Sequence, residues 1–185
     1  MLKVLFEGGK GSSVTLIETS KHNILVNTSS RDLRDVIIKR LEEEGLSVDD
    51  IDVVINTHLH PGHTGNNELF RNATIYASPN ECVERCMGCL IYSHAQFKLT
   101  PVRELDDDEI TIINTPGHTW GSISVLYRDY IIVGDAVPNR EALISRKLAR
   151  CVDEISARSS LNRIIRLGKN IITGHDGIIR ADESL

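Results

Sequence analysis

The sequence predicts a layered α/β sandwich built from mixed strands. Three observations carry this expectation. Strand-like and helix-like periodicities alternate along the chain in the order β, α, β, α, then β, α, β. The opening strands are short, β-branched and separated by glycine-rich or polar turns, a hairpin pattern rather than that of a purely parallel sheet. Finally, 185 residues with 41% hydrophobic and 25% charged content suffice for one globular domain, residues 1–185, with a sizeable core.

Lys3–Glu7, Ser13–Glu18 and Asn23–Asn27 read as three antiparallel strands, broken at Gly8-Gly9-Lys10-Gly11 and at Ser20-Lys21-His22. A helix over Arg31–Glu44 follows, with Leu33, Val36, Ile37 and Leu41 at helical spacing and Gly45 as its stop. Ile51–Asn56 is a short apolar strand. A short helix at Asn66–Arg71 and a strand at Thr74–Ala77 come next, and Pro79 is placed to open a further helix. The run Arg103-Glu104-Leu105-Asp106-Asp107-Asp108-Glu109 is expected to be a solvated turn. Ile110–Asn114, Ser122–Tyr127 and Tyr130–Val133 read as strands, the last two joined by a hairpin at Arg128-Asp129. Helix is expected over much of 139–167, with Leu161, Ile164 and Ile165 on one face and Gly168 at its end. Asn170–Thr173 is the last strand.

A net charge of −5 and 4% aromatic content argue against nucleic acid as a partner and favour a small-molecule one. No apolar run approaches the ~20 residues that span a bilayer, and Glu7 interrupts any leader-like segment, so a cytoplasmic protein is expected. Cys82, Cys86 and Cys89 fall on one face of a helix, which reads first as core packing and alternatively as a second metal or iron–sulfur site. Cys151 stands alone and is expected to be buried.

The seven histidines carry the functional signal. In Thr57-His58-Leu59-His60-Pro61-Gly62-His63, the His-x-His spacing puts two imidazoles on one side of an extended segment, and His63 can reach back after a turn. Imidazoles clustered in this way suit zinc, iron, nickel or copper. Thr115-Pro116-Gly117-His118-Thr119-Trp120-Gly121-Ser122, Val133-Gly134-Asp135 and Thr173-Gly174-His175 each place a candidate ligand just beyond a strand. Glycine precedes His63, His118 and His175, which allows tight turns. Pro-Gly-His-Thr occurs twice, at 61–64 and 116–119, a faint echo between two halves. His22 and His94 read as structural or solvent-facing.

Together these four segments resemble the metallo-β-lactamase superfamily, whose members carry His-x-His-x-Asp-His, Thr-Pro-Gly-His-Thr-x-Gly-Ser, Gly-Asp and Gly-His in this order. The resemblance implies a four-layer αβ/βα sandwich of two mixed β-sheets flanked by helices, with a metal site at one edge. It implies that His58, His60 and His118 hold a first metal, and that His63 and His175 face a second. Asp135 would bridge the two as the candidate catalytic carboxylate. It also implies Zn²⁺, one or two per chain, with iron or manganese as alternatives. A histidine at 60, where an iron-binding branch has glutamate, favours zinc.

The implied activity is hydrolysis of an ester, thioester, lactone or phosphodiester by water made nucleophilic at the metal. Gly62 departs from the pattern, standing where the family has the aspartate that ligates the second metal. That leaves open a metal-binding protein of little or no activity, and an iron-dependent redox protein is the other alternative. Asn27 stands where many relatives carry aspartate and is read either as a support for the first motif or as a helix cap. Trp120 is read as a wall of the substrate site or as an ordinary packing residue. Family members are often dimers, which leaves a homodimer open, although this sequence shows no self-evident interface.

Overall fold

The computed structural model describes residues 1–82, 99–148 and 150–183. The expected sites at Cys86, Cys89 and His94 lie outside the described residues. Two mixed sheets form the centre. The first runs in the order β1-β2-β3-β4-β5-β6: β1 (Leu2–Phe6), β2 (Val14–Glu18), β3 (Asn23–Val26), β4 (Val53–Ile55), β5 (Thr74–Ala77) and β6 (Leu99–Pro101). Its first three strands are antiparallel neighbours, and β3 to β6 are parallel. The second sheet has the order β11-β10-β9-β8-β7: β7 (Thr111–Asn114), β8 (Ile123–Tyr127), β9 (Tyr130–Gly134), β10 (Asn170–Thr173) and β11 (Ile178–Ile179). Only β9 and β10 are parallel in it.

Strand periodicity builds the layers. Successive side chains on a strand point to opposite faces. On β3, Leu25 therefore joins α1 (Arg34–Glu43), Leu5, Leu16, Ile37, Leu41, Val54 and Phe70 on the outer face of the first sheet. Its neighbours Ile24 and Val26 meet Ile55, Ile123, Val125, Ile132 and Ile172 between the two sheets. On β10, Ile172 faces the first sheet, whereas Ile171 packs under α4 (Glu154–Arg166) with Ile131, Val133, Leu161 and Ile164. Three apolar layers thus alternate with four layers of secondary structure, the expected αβ/βα sandwich. Among the described residues no helix is long and apolar enough to cross a membrane.

Several expectations need correction. The helix from Arg31 begins as a 3-10 turn, Arg31–Leu33, and Val36 is exposed one step round from buried Ile37. The helical stretch 139–167 is two helices, α3 (Arg140–Ser145) and α4. Arg146 adopts a left-handed conformation (φ 56°) that ends α3, and the Asp153 side chain accepts from Ile155 N to start α4. The short helix expected at Asn66–Arg71 is a 3-10 turn, Asn67–Leu69, while an unexpected turn of helix, α2 (Pro61–Thr64), lies on the histidine motif. The two Pro-Gly-His-Thr copies have different conformations, since 116–119 forms a turn with Gly117 at φ 135°, so they are no structural repeat.

The acidic run is not simply solvated. Asp107 is buried and accepts from Thr19 Oγ1 (2.6 Å), and His22 Nδ1 lies 3.0 Å from it, which ties the run to the β2–β3 turn. Burial alone would raise the Asp107 carboxyl, but the bonds from Thr19, His22 and the Glu109 backbone hold it below the ordinary carboxylate value.

Candidate metal centre

The site residues lie in the connections that follow four strands, β4, β7, β9 and β10. His58 and His60 follow β4, whose three residues are buried. Pro61, with its fixed φ, opens α2, and that turn carries His63 back so that its N–H donates to His60 O (2.9 Å). His118 lies in the β7–β8 connection, Asp135 directly after β9 and His175 two residues after β10. At the preceding positions glycine has different reasons. A Cβ on Gly117 would lie 2.3 Å from the Ala157 backbone of α4, and one on Gly174 would lie 2.2 Å from Asp135 Oδ1. A Cβ on Gly62 would meet nothing within 4 Å, so backbone crowding does not demand glycine there.

The structure brings together all six residues expected at the site. One ligand atom from each of His58, His60, His118 and Asp135 lies within 4.8 Å of the others, and the same holds for His63, Asp135 and His175. Asp135 belongs to both groups. Its Oδ2 lies 3.3 Å from His118 Nε2 and 3.9 Å from His58 Nε2, while its Oδ1 lies 3.2 Å from His63 Nε2 and 3.1 Å from His175 Nε2. His60 Nδ1 and His118 Nε2 face each other at 2.9 Å. Two nitrogens bound at zinc distance to one tetrahedral cation stand about 3.3 Å apart, so this pair fits after a shift of a few tenths of an ångström. His58 Nε2 and both nitrogens of His63 are buried with no hydrogen-bond partner. Buried polar atoms are seldom left so, and a cation in the cluster would satisfy the unprotonated ones.

The electrostatics favour the ligand forms. Burial pushes His58 far below the ordinary histidine value, His63 adding to the effect and Asp135 opposing it. Burial likewise lowers His60, with the Asp135 and Glu81 carboxylates opposing, and takes His118 down to about 4. Burial would raise Asp135, but His63, His175 and His58 hold it well below the carboxylate range. His58, His60 and His118 are therefore neutral and the Asp135 carboxylate is ionised at neutral pH, as metal binding requires. The Asp135 carboxylate raises His175, whose Nδ1 donates to Gly11 O (2.8 Å) and so presents Nε2 to the cluster. His60 and His175 are only partly buried, so solvent reaches the cluster past their rings.

Asn27 caps no helix. Fully buried at φ 61°, it accepts through Oδ1 from Thr57 N (3.0 Å) and Thr57 Oγ1 (3.1 Å). Thr57 Oγ1 in turn lies 3.3 Å from His58 Nδ1. With that hydroxyl donating to Asn27, it can accept only from a protonated Nδ1, which leaves Nε2 facing the cluster with a free lone pair. Trp120 is 47% exposed in the connection after His118. Sequence reasoning missed Thr57, Thr119, Ser122 and above all Glu81. Glu81 is a buried acid whose partners come from two other segments, and no local signal marks it.

Comparison with known proteins bears on the family and the fold. Residues 8–82 match the family model described as the Metallo-beta-lactamase superfamily. A protein of Methanocaldococcus jannaschii named "Probable metallo-hydrolase" is 48% identical over 88% of this chain and 75% of its own length. Among solved structures, a Thermotoga maritima protein assigned as a metallo-beta-lactamase superposes with a TM-score of 0.72 at 26% identity, over 97% of this chain and 98% of that one. A quorum-quenching N-acyl homoserine lactone lactonase gives a TM-score of 0.72 at 25% identity over 89% and 79% of the two chains. Fold, motif order and sequence identity converge, and the chain belongs to the metallo-beta-lactamase superfamily.

Proposed function

We propose that this protein is a zinc-dependent hydrolase of small-molecule esters, thioesters, lactones or phosphodiesters. In this reading His58, His60 and His118 hold a first cation, His63 and His175 hold a second, and Asp135 is shared. The observation that carries it is the division of Asp135, one carboxylate oxygen facing each histidine group. A divalent cation bound there would supply Lewis acidity and would make water nucleophilic at neutral pH. The chain's own residues do the rest. Neutral His58, His60 and His118 offer lone pairs, and ionised Asp135 supplies the balancing charge. The Asn27–Thr57 pair orients His58, and Gly11 O orients His175. The open side past His60 and His175 admits substrate.

The donor set of nitrogen and carboxylate oxygen suits zinc while accepting iron or manganese. The test is elemental analysis of protein purified without chelator, followed by turnover of a panel holding one compound from each of the four classes. Two zincs per chain with hydrolysis of at least one class is the expected result. Metal-free protein that gains neither zinc nor activity on loading would overturn the reading. Gly62 supplies no ligand, which favours a second form of the same reading: one tightly held cation and weaker occupancy beside His63 and His175.

A further inference from the structure

Glu81 lies in the 3-10 turn Pro79–Cys82 after β5, with 3% of its surface exposed. Its Oε2 accepts from Leu59 N (2.9 Å), the amide between His58 and His60. Its Oε1 accepts from the hydroxyl of Thr119, the residue after His118. Thr119 Oγ1 also pairs with Ser122 Oγ (2.6 Å), which in turn accepts from Thr119 N (3.2 Å), so the whole turn is braced. The two arms of this carboxylate thus reach the segments that carry His60 and His118, one leaving the first sheet and one belonging to the second.

We infer that Glu81 is a positioning residue for the first metal triad. By holding the Leu59 amide and the Thr119 hydroxyl on one rigid group, it fixes how closely His60 approaches His118. Its negative charge also favours a cation at this triad, since two buried charges of opposite sign stabilise each other in a low-dielectric site. Groups that orient ligands in this way commonly change metal affinity ten- to a hundredfold when removed. A side chain that only filled space would leave affinity unchanged in any variant that still folds.

This inference rests on the metal-binding reading above, and the experiment separates the two. Metal-free parent, Glu81→Ala, Glu81→Gln and Thr119→Val proteins are titrated with zinc against a chromophoric chelator, and with cobalt(II) followed by its visible spectrum. Glu81→Ala is expected to weaken the first equivalent about 10- to 100-fold and to alter the cobalt spectrum. Glu81→Gln is expected to recover most of the affinity, because its amide oxygen can accept from Leu59 N while its NH₂ donates to Thr119 Oγ1. Thr119→Val, which breaks one arm, is expected to fall between.

Affinity within threefold of the parent in Glu81→Ala, with an unchanged cobalt spectrum, would overturn the inference. So would a glutamine variant no better than alanine. Should Glu81→Ala fail to fold, an unaltered Thr119→Val would overturn it equally. A parent protein that takes up no metal would instead sink the metal reading itself.

Discussion

Gly62→Asp returns to the chain the one family ligand that it lacks, and the structure allows the outcome to be worked through. A Cβ at Gly62 meets nothing within 4 Å, its φ is not left-handed, and it lies inside the helical turn Pro61–Thr64. Replacing a helical glycine removes unfolded-state freedom worth about 0.4–1 kcal/mol. An acid in the first turn adds a few tenths more. Set against this, a new carboxylate near Asp135 costs some of that gain while no cation is bound. The metal-free variant should therefore melt within about 3 °C of the parent, since roughly 2–4 °C accompanies each kcal/mol at this length.

The effect on metal should be larger. A unit charge 4 Å from another contributes about 4 kcal/mol at an effective dielectric of 20, and desolvation of the new carboxylate removes part of that. A net gain of about 1.4–2.8 kcal/mol is expected, or ten- to a hundredfold tighter binding of the second zinc equivalent. Chelator-competition titration measures it, with Gly62→Asn as the control that keeps shape without charge. A well-folded Gly62→Asp variant whose second equivalent binds no tighter than the parent's would refute the reasoning, for position 62 would then not address the His63–His175 group.

Three further outcomes follow from the same geometry. Asp135→Asn removes the one carboxylate that, among the described residues, belongs to both groups and should abolish the second equivalent and weaken the first at least tenfold, as read by the same titration. Gly117→Ala places a methyl group against the α4 backbone at a φ of 135° and should cost about 2–4 kcal/mol, seen as a melting point lower by roughly 5–15 °C. Asp107→Asn should cost about 1–3 kcal/mol at neutral pH. Because the folded Asp107 carboxyl sits below its unfolded value, its contribution is complete above about pH 4 and fades as pH falls through the folded value. Parent and variant should therefore converge in denaturant midpoint as the pH falls below about 4, and a gap that stays constant as the pH falls from 7 would contradict this.

The sandwich was legible because its strands carry the pattern that layering demands. Each of β2, β3, β4, β9 and β10 is apolar on both faces, which only a strand buried between two other layers requires. Residues 170–173 and 74–77 were bounded correctly because polar or glycine turns flank them on both sides. The two-residue strand β11 and the three-residue β6 were not visible, since two or three residues make no period. The break between α3 and α4 escaped because Arg146 adopts a left-handed conformation that arginine does not advertise, where a glycine would have.

The site divides along the same line. Its six ligand candidates were legible because each sits one to eight residues beyond a strand in a short motif, and strand ends can be read locally. What holds them cannot be. Asn27 reaches Thr57 across 30 positions, Glu81 reaches Leu59 across 22 and Thr119 across 38, and Gly11 O meets His175 across 164. Such pairs exist only after the sheets have assembled, so no spacing rule can find them in one sequence. They are also where this chain's divergence from its family should be felt first. The first group is braced by Asn27, Thr57 and Glu81, so its geometry survives whatever occupies position 62. The second group relies on His63, His175 and a shared carboxylate, and among these hydrogen bonds only the Gly11 carbonyl orients one of its rings. Loss of the aspartate at 62 therefore falls on the less braced half, and the two equivalents of metal should separate in affinity by more than their similar imidazole content would suggest.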